Sequence, residues 1–244
     1  MSLGVLFFVL LGVTATAERA HIAVASNFKP AVEELKRSFE EQTGHEIIIS
    51  SGSTAKLYSQ IRFGAPFDVF LSADRLHPQQ LANENLAIRN SAATYAIGRL
   101  TLWSRSVEIA SISELADTNI RKIAIATPLG APYGVAAQEM LAHNGLDATV
   151  SDKLVVGESI GQAFAFVHSG NADIGIVSLS LVLQLDEDER GYRWDVPDGS
   201  YSPIEQQAIL LLKGADNEAA ETFLAYLVSP EARDIIESYG YTTP

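Results

Sequence analysis

The 244-residue chain contains no cysteine. That excludes a disulfide framework, a thiolate metal centre and a lipid-bearing cysteine behind a leader segment. Basic residues are scarce: 17 Lys and Arg stand against 30 Asp and Glu, a net charge of −13. Phosphate backbones are gripped by clustered Lys and Arg, so no nucleic-acid partner is expected. The five histidines, His21, His45, His77, His143 and His168, show neither H-x-x-x-H nor H-E-x-x-H spacing, which argues against a zinc site. Long apolar runs are also missing, except for one at the start. Residues 1–17, "MSLGVLFFVLLGVTATA", carry no charge, and their apolar stretch at 3–13 is too short to span a bilayer. The segment ends in Ala15, Thr16 and Ala17, an A-x-A cleavage pattern. It reads as a secretory signal, with the mature chain beginning near Glu18, although no Lys or Arg precedes the apolar run. The competing reading is a buried first strand. Export of a cysteine-free chain points to a bacterial periplasm.

What is present is apolar and alternating. Hydrophobic residues make up 47% of the chain, enough for one large domain or two smaller ones. Strand-like runs occur at 21–25, 46–50, 67–72, 95–104, 122–127, 153–157, 173–178 and 207–213. Helical periodicity fills 29–42, 55–63, 75–84, 133–143, 160–169, 216–228 and 230–238. Strands that alternate with helices imply an α/β fold with mainly parallel sheet and helices on both faces. The strands are apolar at nearly every position, as expected when both faces are covered. The run at 95–104 is long and contains Gly98, and the run at 207–213 follows the extended loop "DEDERGYRWDVPDGSYSP". These two runs suit antiparallel strands that cross between two lobes as a hinge. The lobes would be 18–98 plus 207–244, which is discontinuous, and 99–206. Composition alone also permits one continuous doubly wound sheet.

Four strand-to-helix junctions share a character. "AVASNFKPAVEEL" passes from strand to helix through Ser26 and Asn27, with Pro30 in the first turn. Ser and Asn suit an N-cap, and Pro suits the first helical turn. "IIISSGSTAK", "IAIATPLGAPYG" and "LVVGESIG" repeat the pattern with Thr54, Tyr133 and Ile160 at their helix starts. In a parallel sheet such junctions lie at the carboxyl edge, where ligands bind. Each helix start offers free N–H groups at the positive end of a dipole, so several together make an anion site without a cationic side chain. No Arg falls in these turns, and Lys29 and Lys56 are expected to face solvent. Spacing alone does not establish that the four junctions converge.

Enzyme readings fare poorly. "GESIG" at 157–161 matches the G-x-S-x-G nucleophile elbow, but Ser159 is followed by only one histidine, His168, on the same predicted helix, with no Asp between them. No phosphate-binding G-x-x-x-x-G-K-[ST] or dinucleotide G-x-G-x-x-G occurs. Asp74 in "FLSAD" reads as a helix cap.

"AVASNFKPAVEEL", "ISSGSTAKLYSQIRFGAPFDVFLSAD", "TYAIGRLTLWS", "APYGVAAQEML", "ESIGQAFAFVHSGNADIGIVSLS" and "GYTTP" together resemble the periplasmic molybdate-binding proteins of ABC importers, over essentially all of residues 20–244. The resemblance implies a two-lobed class II periplasmic binding protein fold that performs no catalysis and uses no cofactor. The expected ligand is a tetrahedral oxyanion, molybdate or tungstate. The expected partner is a membrane permease of an ABC importer, and the expected state is a monomer. It implies Ser26, Asn27 and Thr54 as ligand-binding residues on one lobe, with Tyr133 and Ile160 on the other. Ser26 and Thr54 would donate through hydroxyl and backbone, and Asn27, Tyr133 and Ile160 mainly through backbone N–H. Two positions depart from the family pattern: Thr54 stands where Ser is common, and Ser178 where some members place a ligand-binding Tyr. Sulfate, phosphate and organic acids are the competing ligands. Phosphate sites commonly use an Asp, and organic acids usually attract an Arg; the four junctions contain neither.

Overall fold

The computed structural model describes residues 17–244. The signal segment read at 1–17 lies, except for its last residue, outside them. The chain builds β1 (Arg19–Ala25), α1 (Lys29–Thr43), β2 (Glu46–Gly52), α2 (Thr54–Arg62), β3 (Val69–Leu71), α3 (Leu76–Asn83) and β4 (Ala93–Gly98). It continues with β5 (Leu100–Ser104), β6 (Ile123–Ala126), α4 (Pro132–His143), α5 (Asp147–Val150), β7 (Leu154–Gly157), α6 (Ile160–His168), β8 (Ile174–Ser178), α7 (Leu179–Leu183) and β9 (Tyr192–Asp195). It closes with β10 (Ile204–Leu210), α8 (Glu218–Leu227) and α9 (Pro230–Ser238).

Among the described residues, ten strands form two five-stranded sheets, in the orders β2-β1-β3-β10-β4 and β7-β6-β8-β5-β9. In the first, β2, β1 and β3 are parallel, and β10 runs against both β3 and β4. In the second, β7, β6 and β8 are parallel, and β5 runs against both β8 and β9. Each sheet therefore has a single reversed strand in the same place, and in each it is the strand through which the chain enters from the other sheet. The first crossing is a single residue, Arg99, between β4 and β5. The return crossing is irregular chain between β9 and β10.

Alternation explains why β3 and the second half of β1, Ile22 to Ala25, are apolar throughout. Ile22, Val24, Val69 and Leu71 join Leu35, Phe39 and Phe223 in a core under α1, α8 and α9. Ala23 and Phe70 point the other way, into a core with Leu57, Leu81 and Ile209 under α2 and α3. Successive strand side chains face opposite sides, so a sheet covered twice needs apolar residues at every position. The second sheet carries its own core around Trp103, Ile125, Met140 and Ile174.

The run read as one strand at 95–104 is two, β4 and β5, in different sheets, and the short helices α5 and α7 were not anticipated. Two further elements differ from the sequence reading. The last strand starts at Ile204 and ends at Leu210, earlier than the predicted run at 207–213. Gln206 and Gln207 hid its start, because a buried polar pair breaks the apolar signal. The loop predicted at 186–203 contains β9, an edge strand whose residues are exposed or half-buried. An edge strand with so little burial leaves no hydrophobic pattern to read.

Candidate functional site

The carboxyl ends of β1, β2, β6 and β7 each feed a helix start, and the four starts converge. Ser26, Asn27, Thr54, Tyr133 and Ile160 line one small cavity, together with Ala25, Gly52, Ser53, Ala73, Ala131 and Pro132. Its volume, as the room open to the centre of a water-sized sphere, is about 10 Å³, far below the roughly 300–1,000 Å³ typical of pockets for drug-sized ligands. No lining residue carries a charge. Lys29 and Lys56 are exposed, as their positions just inside helices predicted. The neighbouring Asp74 is turned away: its carboxylate accepts from Ser72 Oγ at 2.9 Å and lies 2.7 Å from His77 Nδ1. A wider groove next to the cavity is lined by Asp74, Arg75, Glu139 and Glu205, a set with more negative than positive charge and a poor host for an anion.

Three of the four helix starts at the cavity have no side-chain cap. Neither Ser26 nor Asn27 caps α1, contrary to the sequence expectation. They lie in a 3-10 turn, Ser26–Phe28, that runs directly into the helix, and α1 has no side-chain cap. α2 and α4 likewise begin without one. Freed from capping, Ser26 Oγ accepts the Gly161 N–H at 3.2 Å across the gap between the sheets. Thr54 Oγ1 accepts the Ala73 N–H at 3.3 Å, which leaves its own hydroxyl proton free to donate. Thr54 and Ile160 are the first residues of α2 and α6, and Tyr133 is the second of α4. Amides in these positions have no intrahelical acceptor. Ser159 does cap α6, accepting from Gln162 N at 3.2 Å, and that leaves the Ile160 N–H unclaimed.

Behind the cavity lies a buried polar cluster that the sequence did not reveal. Asn27 Nδ2 donates to Gln206 Oε1 at 2.8 Å and to the Tyr241 hydroxyl at 3.0 Å. Gln206 Nε2 donates to the Tyr133 hydroxyl at 3.4 Å, and the Tyr95 hydroxyl donates to Gln206 Oε1 at 3.2 Å. Asn27 Oδ1 is buried without a protein partner among the described residues, which marks a group with bonding capacity still to be filled. Burial pushes the phenols of Tyr95, Tyr133 and Tyr241 well up from their ordinary value, so they stay neutral donors. Gly98 makes room for this contact between lobes: a Cβ there would sit 2.1 Å from the Tyr133 hydroxyl.

The enzyme-like motif dissolves in the structure. Ser159 is committed to its helix, and His168 is stacked on Phe164 at 5.8 Å, with Nε2 3.6 Å from Glu189. No group of three or more His, Asp or Glu that could hold a metal occurs among the described residues.

Residues 20–242 match the family model described as bacterial extracellular solute-binding protein. The chain belongs to that family. This solute-binding protein is similar to the molybdate-binding protein ModA of Azotobacter vinelandii, with 42% identity over 95% of this chain and 93% of the relative. It is equally similar to the molybdate-binding protein ModA of Rhodobacter capsulatus, 42% identical over 96% of this chain and 92% of the relative. Among solved structures it matches the periplasmic molybdate-binding protein of Azotobacter vinelandii with a TM-score of 0.87 and 39% identity, over 92% of this chain and 99% of the other. The two-lobed, class II arrangement expected for the solute-binding protein is the one these structures have.

The five residues named from sequence thus lie around one cavity. Ser178 does not line it: it is buried, with its hydroxyl 3.2 Å from Ser180 Oγ. The residues the sequence reading missed, Gln206, Ser180 and Tyr241, have no local signal. Each reaches the Asn27 environment from a distant part of the chain.

Proposed function

We propose that the protein captures molybdate, with tungstate an equal candidate, after export to the periplasm, and delivers it to the membrane permease of an ABC importer. The observation that carries this reading is the small uncharged cavity bounded by four helix starts. A compact dianion suits such a site. Its oxygens can take hydrogen bonds from several amides and hydroxyls at once, each worth about 1.5–3 kcal/mol when one partner is charged. Four dipole ends supply positive potential without a counter-ion. The names of the two 42% identical relatives support molybdate among the oxyanions.

Capture proceeds in two stages. The anion lands on Ser26, Asn27 and Thr54, and closure brings up the Tyr133 and Ile160 amides from the second lobe. The ligand favours closure only through the contacts it gains there. No bond is made or broken, and the protein acts as a monomeric carrier. Sulfate is smaller and would leave donors unmet, at about 1–3 kcal/mol for each buried one; tungstate is nearly the size of molybdate.

The test is calorimetry with molybdate, tungstate, sulfate and phosphate. Tight binding of only the first two is expected, and a ligand at 100 times its Kd should add about 2.7 kcal/mol of stability. An equal response to sulfate would overturn the ligand assignment. Ester turnover lost in Ser159→Ala would overturn the carrier reading.

A further inference from the structure

The C-terminal segment "GYTTP" contributes nothing to the cavity lining, yet it is held firmly. Gly240 turns the chain at φ +83, a conformation L side chains rarely adopt. Thr242 exchanges two backbone hydrogen bonds with Ile97 of β4, at 2.7 and 3.2 Å. Between these anchors Tyr241 drives its ring behind Asn27, edge-on to Phe28 at a centroid distance of 5.3 Å. Only 4% of Tyr241 is exposed.

Its hydroxyl meets three groups. It donates to the Asn27 carbonyl at 2.9 Å and receives the Asn27 Nδ2 hydrogen bond at 3.0 Å. It also lies 2.9 Å from Ser180 Oγ, which itself reaches the Asn27 carbonyl at 3.2 Å. Asn27 follows β1 of the first sheet, and Ser180 lies in α7, directly after β8 of the second. One phenol therefore touches both lobes and holds both the carbonyl and the carboxamide of a cavity residue. With those two groups held, Asn27 has little freedom to swing its N–H away from the cavity.

We propose that Tyr241 is a positioning residue for the bound anion: it touches no ligand, but it ties the setting of Asn27 to the closed arrangement of the two lobes. This rests on the oxyanion reading above. A filler of the core would act through its ring alone; the three polar contacts at the hydroxyl separate that role from positioning.

The experiment uses the mature chain. Wild type is first titrated with molybdate, tungstate, sulfate and phosphate, and the tightest of these serves as the probe. If none binds, the oxyanion reading falls, and the positioning role falls with it. If the probe is sulfate or phosphate, the molybdate assignment fails while Tyr241 is still tested. Tyr241→Phe should bind the probe about tenfold more weakly. The loss should lie mainly in faster dissociation, because only in the closed arrangement does the hydroxyl also meet Ser180 of the second lobe. It should persist at a temperature where circular dichroism shows the variant fully folded. Ser180→Ala cuts the anchor to the second lobe and leaves the Tyr241 ring in place. It should show a smaller loss of the same kind, and it decides the matter if Tyr241→Phe does not fold. Wild-type affinity and dissociation rate in a folded Tyr241→Phe protein, with only its melting temperature lowered, would overturn the proposal.

Discussion

Three of the four helix starts at the cavity treat their first amides in the opposite way to the starts of α8 and α9. α8 is capped by Asn217, whose side chain accepts from Ala220 N at 3.2 Å, and α9 by Ser229, which accepts from Ala232 N at 3.2 Å. α1, α2 and α4, which point at the cavity, have no side-chain cap. A cap removes an orphan amide and contributes about 1 kcal/mol to stability. Leaving it out keeps the amide available to a ligand and costs the unliganded protein that contribution. The contrast shows what an uncapped start can offer a ligand, but it is not a rule: α6 meets the cavity capped, and α7 begins uncapped away from it.

The largest way to break the contrast is to stop the two halves of the site from meeting. Gly98→Ala would place a methyl group 2.1 Å from the buried Tyr133 hydroxyl. The lobes then cannot close fully, the Tyr133 and Ile160 amides are lost together, and affinity for molybdate should fall by about a hundredfold or more. Solution scattering should show that saturating ligand no longer compacts the protein; full compaction would contradict the closure account. Next in size is Thr54→Val, which keeps the shape and removes the hydroxyl. Calorimetry should register a loss of roughly 10–100-fold. Ile160→Pro probes a backbone donor directly. Proline is well tolerated at a first helical position, and Ser159 before it is already extended at φ −148 and ψ 165. A drop of about tenfold is expected, and an unchanged Kd would remove Ile160 from the site.

Smaller effects sharpen the other side of the comparison. Asn217→Ala and Ser229→Ala should each lower stability by about 1 kcal/mol in denaturant melts while leaving molybdate affinity untouched. A change in affinity would mean that these caps are not independent of the site. The smallest effect expected is that of pH on binding. No acid or base lines the cavity, so the Kd should stay flat from about pH 6 to 9, below the ordinary range of tyrosine. Stability behaves differently. The folded-state pKa values of Tyr95, Tyr133 and Tyr241 are raised by burial, so the unfolded chain loses its phenolic protons first. Their contribution is therefore complete below about pH 10 and declines above it, by about 1.4 kcal/mol per pH unit for each group. Thermal melts between pH 9 and 11 would reveal this slope, and a flat melting temperature would contradict the burial.

Much was legible in order along the chain. Strand and helix runs, the scarcity of basic residues and the four Ser-, Thr-, Gly- or Pro-rich junctions are local or compositional properties, set by neighbours within a turn or two. They were enough to name α/β layers and to pick out four strand-to-helix junctions; naming Ser26, Asn27, Thr54, Tyr133 and Ile160 within them took the family resemblance. Tertiary structure alone decided that positions 26, 54, 133 and 160 meet, because the meeting depends on two crossings that fold one sheet's carboxyl edge against the other's. It decided that Ser26 and Asn27 abandon capping for partners 135 and 179 residues away. It also carried Tyr241 back to a residue 214 positions earlier. Local pattern cannot encode such contacts, since nothing in the spacing of residues along a chain specifies which distant surface will supply the missing hydrogen bond.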